Sequence, residues 1–197
     1  EIEDELSAVN AFAKREHSAE ELYLFSVVLC DNEVDRDFER FSERALEELS
    51  ALFVGRTGIF DHEWRAGNQT ARIYRTELVK SEGIHNSLGE PYLALKGFAY
   101  MLRNEKNEGL IAEIEAGIKK ETSIGCSVGK RFCSICGEEA GARCGHIPGK
   151  EYEGSLCFMT LSEVCDAYEW SFVAVPAQRA AGVVKGFGRP ENLKDFL

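Results

Sequence analysis

Three residue types that together perform acyl transfer stand on separate β-like stretches of this chain. A serine lies in Glu121–Val128 (ETSIGCSV), a carboxylate in Tyr168–Ala177 (YEWSFVAVPA), and a histidine in Gly58–Trp64 (GIFDHEW). In the first two, a small polar residue occupies a strand position that a buried strand would fill with an apolar one. A nucleophile, a base and an orienting acid this far apart in sequence are assembled by the fold, not by local spacing. Ser123 precedes Ile124-Gly125, and Gly125 would let backbone approach a substrate carbonyl closely. Ser127 is the nearest rival nucleophile, four residues on and on the same strand face. Among the four histidines, His17 sits at a charged helix end, His85 in a polar turn and His146 beside cysteines, which leaves His62 as the best base.

A second constellation is metal-like. Cys133-Ser-Ile-Cys136-Gly137 places two thiols on a tight turn, and Cys144 and His146 follow at seven and nine residues past the knuckle. Four soft donors at this range suit a tetrahedral zinc site of structural type, because no open coordination position is evident. Cys157 is an alternative to Cys144 or His146. The stretch between has few apolar residues, so metal binding would fold a loop without a core of its own. Seven cysteines, an odd number bunched between 126 and 165 apart from Cys30, fit a reducing compartment and a metal better than a disulfide framework.

The elements that must position these residues follow from apolar periodicity. Glu3–Glu16 reads as an amphipathic helix and Leu22–Cys30 as a core strand. Phe38, Phe41, Ala45, Leu49 and Leu52 form the stripe of a second helix, with Gly55 as its C-cap. Ala71–Val79 and Tyr92–Met101 alternate as strands, and Asn107 is the expected N-cap of a helix over Glu108–Lys120. That helix leads into ETSIGCSV. Ser155–Leu161 and Glu169–Val175 are two further expected strands, the second stopped by Pro176, and the stretch from Gly182 reads as a flexible exit.

The chain of 197 residues is long enough for one domain with a real core. The expected organisation is a single domain over 1–197 with a zinc-knuckle insertion at 130–157 and a tail at 182–197. No membrane span or secretory signal is visible. A net charge of −11 argues against nucleic-acid binding.

FDHEW, then KETSIGCSV, then AYEWSFVAVPAQ resembles the prohead (capsid maturation) serine proteases of tailed bacteriophages, over roughly Leu22 to Ala181. The family shows an early histidine, a Ser-Ile-Gly-type strand and a Glu-x-Ser-x-Val-x-x-Pro-Ala strand, the last being the most specific. The family's kinship with herpesvirus assemblins implies an α+β fold, a mainly antiparallel β-barrel ringed by helices, here with the inserted zinc loop. The resemblance implies Ser123 as nucleophile, His62 as general base and Glu169 as the third member, with Asp166 as the weaker candidate for that role. It further implies a serine endopeptidase that cleaves scaffold and capsid protein inside the assembling prohead, in the host cytoplasm. Assemblins work as dimers, so self-association is also implied. Where the family reads Pro-Ala-Asn, this chain has Pro176-Ala177-Gln178, and backbone N–H groups around Gln178 and Arg179 are the candidate oxyanion donors. Two other readings compete. One is a zinc-stabilised assembly protein without turnover; the other is a cysteine hydrolase using Cys126 or Cys165 with His62.

Overall fold

Leu22–Cys30 shows no polar alternation because both of its faces are covered. In the computed structural model, which describes residues 2–141 and 143–186, this segment is β1 (Leu22–Asp31). Tyr23, Phe25, Val27 and Leu29 face the main core, while Leu22 and Leu24 pack with Val9, Tyr74 and Phe98 on the opposite side. The second cluster is roofed by α1 (Ile2–Asn10). This helix ends at Asn10, short of the expected Glu16, because Asn10 closes a loop with His17 through its side-chain amide, donating to His17 O and accepting from His17 N.

The chain continues through β2 (Glu39–Phe41), α2 (Glu43–Phe53), β3 (Thr57–Phe60), β4 (Ala71–His85), β5 (Pro91–Leu102), α3 (Glu108–Glu115), β6 (Thr122–Cys133), β7 (Glu151–Tyr152), β8 (Ser155–Leu156), β9 (Met159–Phe172) and β10 (Gly182–Gly186). The second helix begins later than its apolar stripe suggested. Ser42 caps it by accepting from Ala45 N at 3.1 Å, which leaves Phe41 in β2 and Phe38 in a left-handed turn. Gly55, at φ 85°, ends this helix as expected. α3 stops at Glu115, and its Asn107 makes no side-chain cap; the amide instead donates to Leu102 O.

One eight-stranded sheet has the order β10-β1-β5-β4-β3-β9-β2, with β6 also paired to β9. Its pairs are antiparallel except where β2 and β3 run parallel to β9. The expected barrel does not close. Among the described residues, β6 meets β10 only at the isolated bridge Glu121↔Gly182. Even that approach needs a glycine, since a Cβ on Gly182 would lie 2.6 Å from Lys120 O. Beyond the bridge the free edge of β6 borders a cavity. Among the described residues three α-helices accompany this sheet. No helix among the described residues is long and apolar enough to cross a membrane.

Two further expectations change. Ser155–Leu161 and Glu169–Val175 do not form two strands. A short β8 is followed by the single strand β9, which ends at Phe172. Gly182 begins β10, paired to β1 at Val28 and Phe25, where a flexible exit was expected; residues 187–197 of that tail lie outside the described residues. β6 and β9 pair from Thr122↔Phe172 to Cys133↔Met159, so one ribbon carries Ser123 and Glu169 near one end and Cys133 at the other.

Candidate active site and metal centre

The pairing of β6 with β9 sets Ser123 opposite Ser171 and Gly125 opposite Glu169. β3 lies on the other edge of β9, with Gly58 against Trp170, where a Cβ would come within 2.4 Å of the indole. The chain leaves β3 through Asp61 and His62, two consecutive non-glycine residues at φ 50° and 55°. Left-handed backbone at such residues costs about 1 kcal/mol or more each and persists where surrounding contacts hold it. Here Asp61 N donates to Phe172 O and His62 N donates to Ser171 Oγ at 3.0 Å.

That turn brings His62 Nδ1 to 2.7 Å from Glu169 Oε1, and Ser171 Oγ donates to Glu169 Oε2 at 2.7 Å. Glu169 is only 3% exposed, so its carboxylate is held between an imidazole and a hydroxyl away from bulk water. With Nδ1 committed to Glu169, Nε2 is the ring nitrogen left to exchange a proton with a reacting group. His62 and Ser123 are walls of the same cavity of about 610 Å³, together with Gly125, Cys126 and Gln178. No hydrogen bond joins Ser123 to His62 among the described residues.

Gly125 has a different task from the one its sequence context suggested. A Cβ there would stand 2.3 Å from Glu169 Oε1, so the glycine makes room for the buried carboxylate. Asp166, the alternative acid, is instead paired with Arg56 at 3.1 Å. Ser127 does not share the surroundings of Ser123 despite its spacing: β9 bulges at Tyr168 between their partners, Ser127 is not among the residues lining the cavity, and its Oγ accepts from Tyr168 OH. Cys165 is an exposed residue of β9 outside the cavity lining, its Sγ donating to Glu163 O, while burial, with Glu39 and Glu169 nearby, pushes the Cys126 thiol up to about 11. For Cys126 this is the opposite of the activation that a nucleophile needs.

Ser171 is the site residue that the sequence reading did not assign. Its signal was present as a small hydroxyl residue between Trp170 and Phe172, but its role depends on His62 and Glu169 meeting it from other strands. Gln178 also has a defined place. Its Oε1 accepts from Asp31 N at 2.7 Å, tying the Pro176–Gln178 wall of the cavity to the end of β1. Arg36 holds the same wall, its N donating to Ala177 O and its Nε to Pro176 O. The backbone N–H groups of Gln178 and Arg179 make no hydrogen bond among the described residues.

At the other end of the ribbon, Cys133, Cys136, Cys144 and His146 present donor atoms all within 4.8 Å of one another, and this cluster could hold a metal ion. Cys133 Sγ lies 3.7 Å and Cys144 Sγ 3.8 Å from His146 Nδ1, and Cys136 Sγ lies 3.6 Å from Cys144 Sγ. A tetrahedron with zinc–sulfur bonds of about 2.3 Å has edges of about 3.8 Å, so the spacing fits zinc. Gly137, at φ 73°, closes the knuckle. Although burial opposes ionisation, the backbone N–H groups of Cys136 and Ile135 bring the Cys133 thiol down to about 6. Cys157 is fully buried behind Cys133, 3.9 Å away, with its thiol pushed up to about 11 by burial. It packs with Cys133 and Met159 in a small apolar cluster beneath the four donors. Comparison with family models, curated proteins and solved structures finds no match for this chain.

Proposed function

We propose that the chain is a serine endopeptidase, with Ser123 as nucleophile, His62 as general base and Glu169 as the acid that orients the imidazole. The observation that carries this reading is a buried carboxylate hydrogen-bonded to Nδ1 of a histidine whose ring shares a cavity with a strand serine. In that reading Ser123 Oγ attacks the scissile carbonyl carbon and its proton passes to His62 Nε2. The imidazolium then protonates the leaving amine, and water, deprotonated by the same nitrogen, hydrolyses the acyl-enzyme. The unengaged N–H groups of Gln178 and Arg179 are the proposed oxyanion donors. Zinc at Cys133, Cys136, Cys144 and His146 is structural, since four protein ligands leave no position for substrate.

The motif resemblance narrows this to a phage capsid-maturation protease of assemblin-like ancestry, acting on scaffold and capsid protein segments within the assembling prohead and self-associating as it does so. An active-site phosphonate tests the chemistry. Labelling at Ser123, lost in Ser123→Ala together with peptide cleavage while the melting profile is unchanged, supports it. Proteolysis retained by pure Ser123→Ala protein overturns it. A second reading, a zinc-stabilised assembly protein without turnover, is favoured by the missing hydrogen bond between Ser123 and His62. Absence of phosphonate labelling in any assembled state would select it.

A further inference from the structure

A second cavity, of about 460 Å³, is lined by Glu169 and not by Ser123, and its walls include two aromatic residues and three arginines. Trp64 is 70% exposed and packs against the exposed ring of Tyr168, with centroids 5.3 Å apart and planes tilted by 53°. Arg56, Arg65 and Arg72 line the same cavity. Three guanidinium groups converge here in a chain whose net charge is −11.

Their existing partners do not neutralise them. Arg56 is paired with Asp166 at 3.1 Å, with both side chains at least a third exposed. Arg65 meets Glu63 at 3.6 Å with both side chains more than half exposed, a geometry that contributes little. Arg72 donates to Gly55 O and to Gln69 Oε1, and has no carboxylate within ion-pair distance among the described residues. The one acid lining the cavity, Glu169, is already held by His62 and Ser171. Trp, Tyr and Arg are the residues that dominate binding energy in protein interfaces, and an exposed tryptophan leaning on a tyrosine offers a rigid apolar platform at low entropic cost.

We propose that this cavity is a docking site for an acidic segment of a partner polypeptide, its carboxylates on Arg65 and Arg72 and an apolar or aromatic side chain on the Trp64–Tyr168 platform. A nucleic-acid backbone would carry its charge beyond the cavity onto a chain of net charge −11, whereas a short peptide can confine its carboxylates to the three guanidinium groups. The site does not depend on catalysis and would persist in a Ser123→Ala protein.

The chain offers an internal reporter, because it has only two tryptophans and Trp170 is fully buried in the core. The test uses Ser123→Ala protein at low salt with a Glu-rich decapeptide carrying one phenylalanine. Binding is followed by tryptophan emission, and in parallel by anisotropy of the labelled peptide. The expected result is saturable binding that weakens with added salt and falls by about tenfold or more in Arg65→Gln/Arg72→Gln, with an unchanged melting temperature. A Lys-rich decapeptide should not bind, and Trp64→Ala should lose anisotropy-detected binding. Equal binding of both peptides, no binding of the acidic one, or no loss in the double variant overturns the proposal. Tighter binding of a single-stranded oligonucleotide, or self-association that the double variant abolishes, also overturns it by assigning the surface to a nucleic acid or to a second copy of the chain.

Discussion

Gly125→Ala is the sharpest test of how the site is built. The added Cβ would stand 2.3 Å from Glu169 Oε1, well inside contact distance. The carboxylate must therefore move, although it is 3% exposed and bonded at 2.7 Å to both His62 Nδ1 and Ser171 Oγ. Hydrogen bonds to a charged group contribute about 1.5–3 kcal/mol each, so disturbing the pair costs about 2–3 kcal/mol. Gly125 is not in left-handed backbone, and replacing a strand glycine by alanine restores about 0.5 kcal/mol through the unfolded chain. The net loss is about 2 kcal/mol, which for a domain of this size lowers the melting temperature by about 4–8 °C. Peptide cleavage should fall by about 10³-fold, approaching the effect of losing the orienting acid in a triad. Thermal melts of Gly125→Ala, Glu169→Ala and the double variant separate the cause. Once the carboxylate is gone the extra methyl has nothing to strike, so the cycle should show coupling of at least about 1 kcal/mol. An equal penalty for Gly125→Ala in both backgrounds would refute the reasoning.

Other outcomes follow from the same geometry. Cys144→Ser, or prolonged chelation, should remove about one zinc per chain by elemental analysis and open residues 134–158 to protease while the emission of buried Trp170 is retained; protein that never carries metal and is indifferent to Cys144→Ser would contradict the assignment. With its thiol pushed up to about 11, Cys126 is ionised to about one part in a thousand at pH 8, so iodoacetamide should label Cys165 first and leave peptide cleavage intact. The same shift has a stability consequence. Unfolded Cys126 ionises near its ordinary value of 9.0, so its contribution is complete below that pH and is lost as the pH rises toward about 11. Cys126→Ser should flatten that part of the stability–pH profile, and an unchanged profile would remove the attribution.

The parts of the fold that could be read in the sequence are those specified by local chemistry. Leu22–Cys30 reads as strand from its density of β-branched and aromatic residues, and Ala71–Val79 and Tyr92–Met101 read as strands from their alternation. The Cys133–Gly137 knuckle carries its geometry in five adjacent residues. Errors arose where a distant partner decides. Ser162–Tyr168 reads as polar, yet it is strand because β6 pairs along it. Val183 and Val184 looked like part of a glycine-rich exit, yet β1 offers them an edge. Phe38 and Phe41 imitate helical spacing, while the cap at Ser42 places the true start after them. In the candidate site, the motif resemblance pointed to His62, Ser123 and Glu169, of which the fold hydrogen-bonds His62 to Glu169 and sets His62 and Ser123 in one cavity. Ser171 and the steric role of Gly125 were not legible, since both depend on a carboxylate arriving from the neighbouring strand.

The connection between Cys133 and Met159 is, in topological terms, the turn of a two-stranded ribbon, although it runs through residues 134–158. A flexible turn of that length holds its strands together weakly, because closing it costs more conformational freedom than a tight hairpin does. An ion joining Cys133 to His146 would take the first half of it out of play, leaving the twelve residues 147–158 to close the ribbon. Since a slip of one position along β6 would turn Ser123 away from Ser171 and put a side chain where Gly125 admits Glu169, an ion at one end would help to hold the alignment of the proposed triad about 30 Å away at the other.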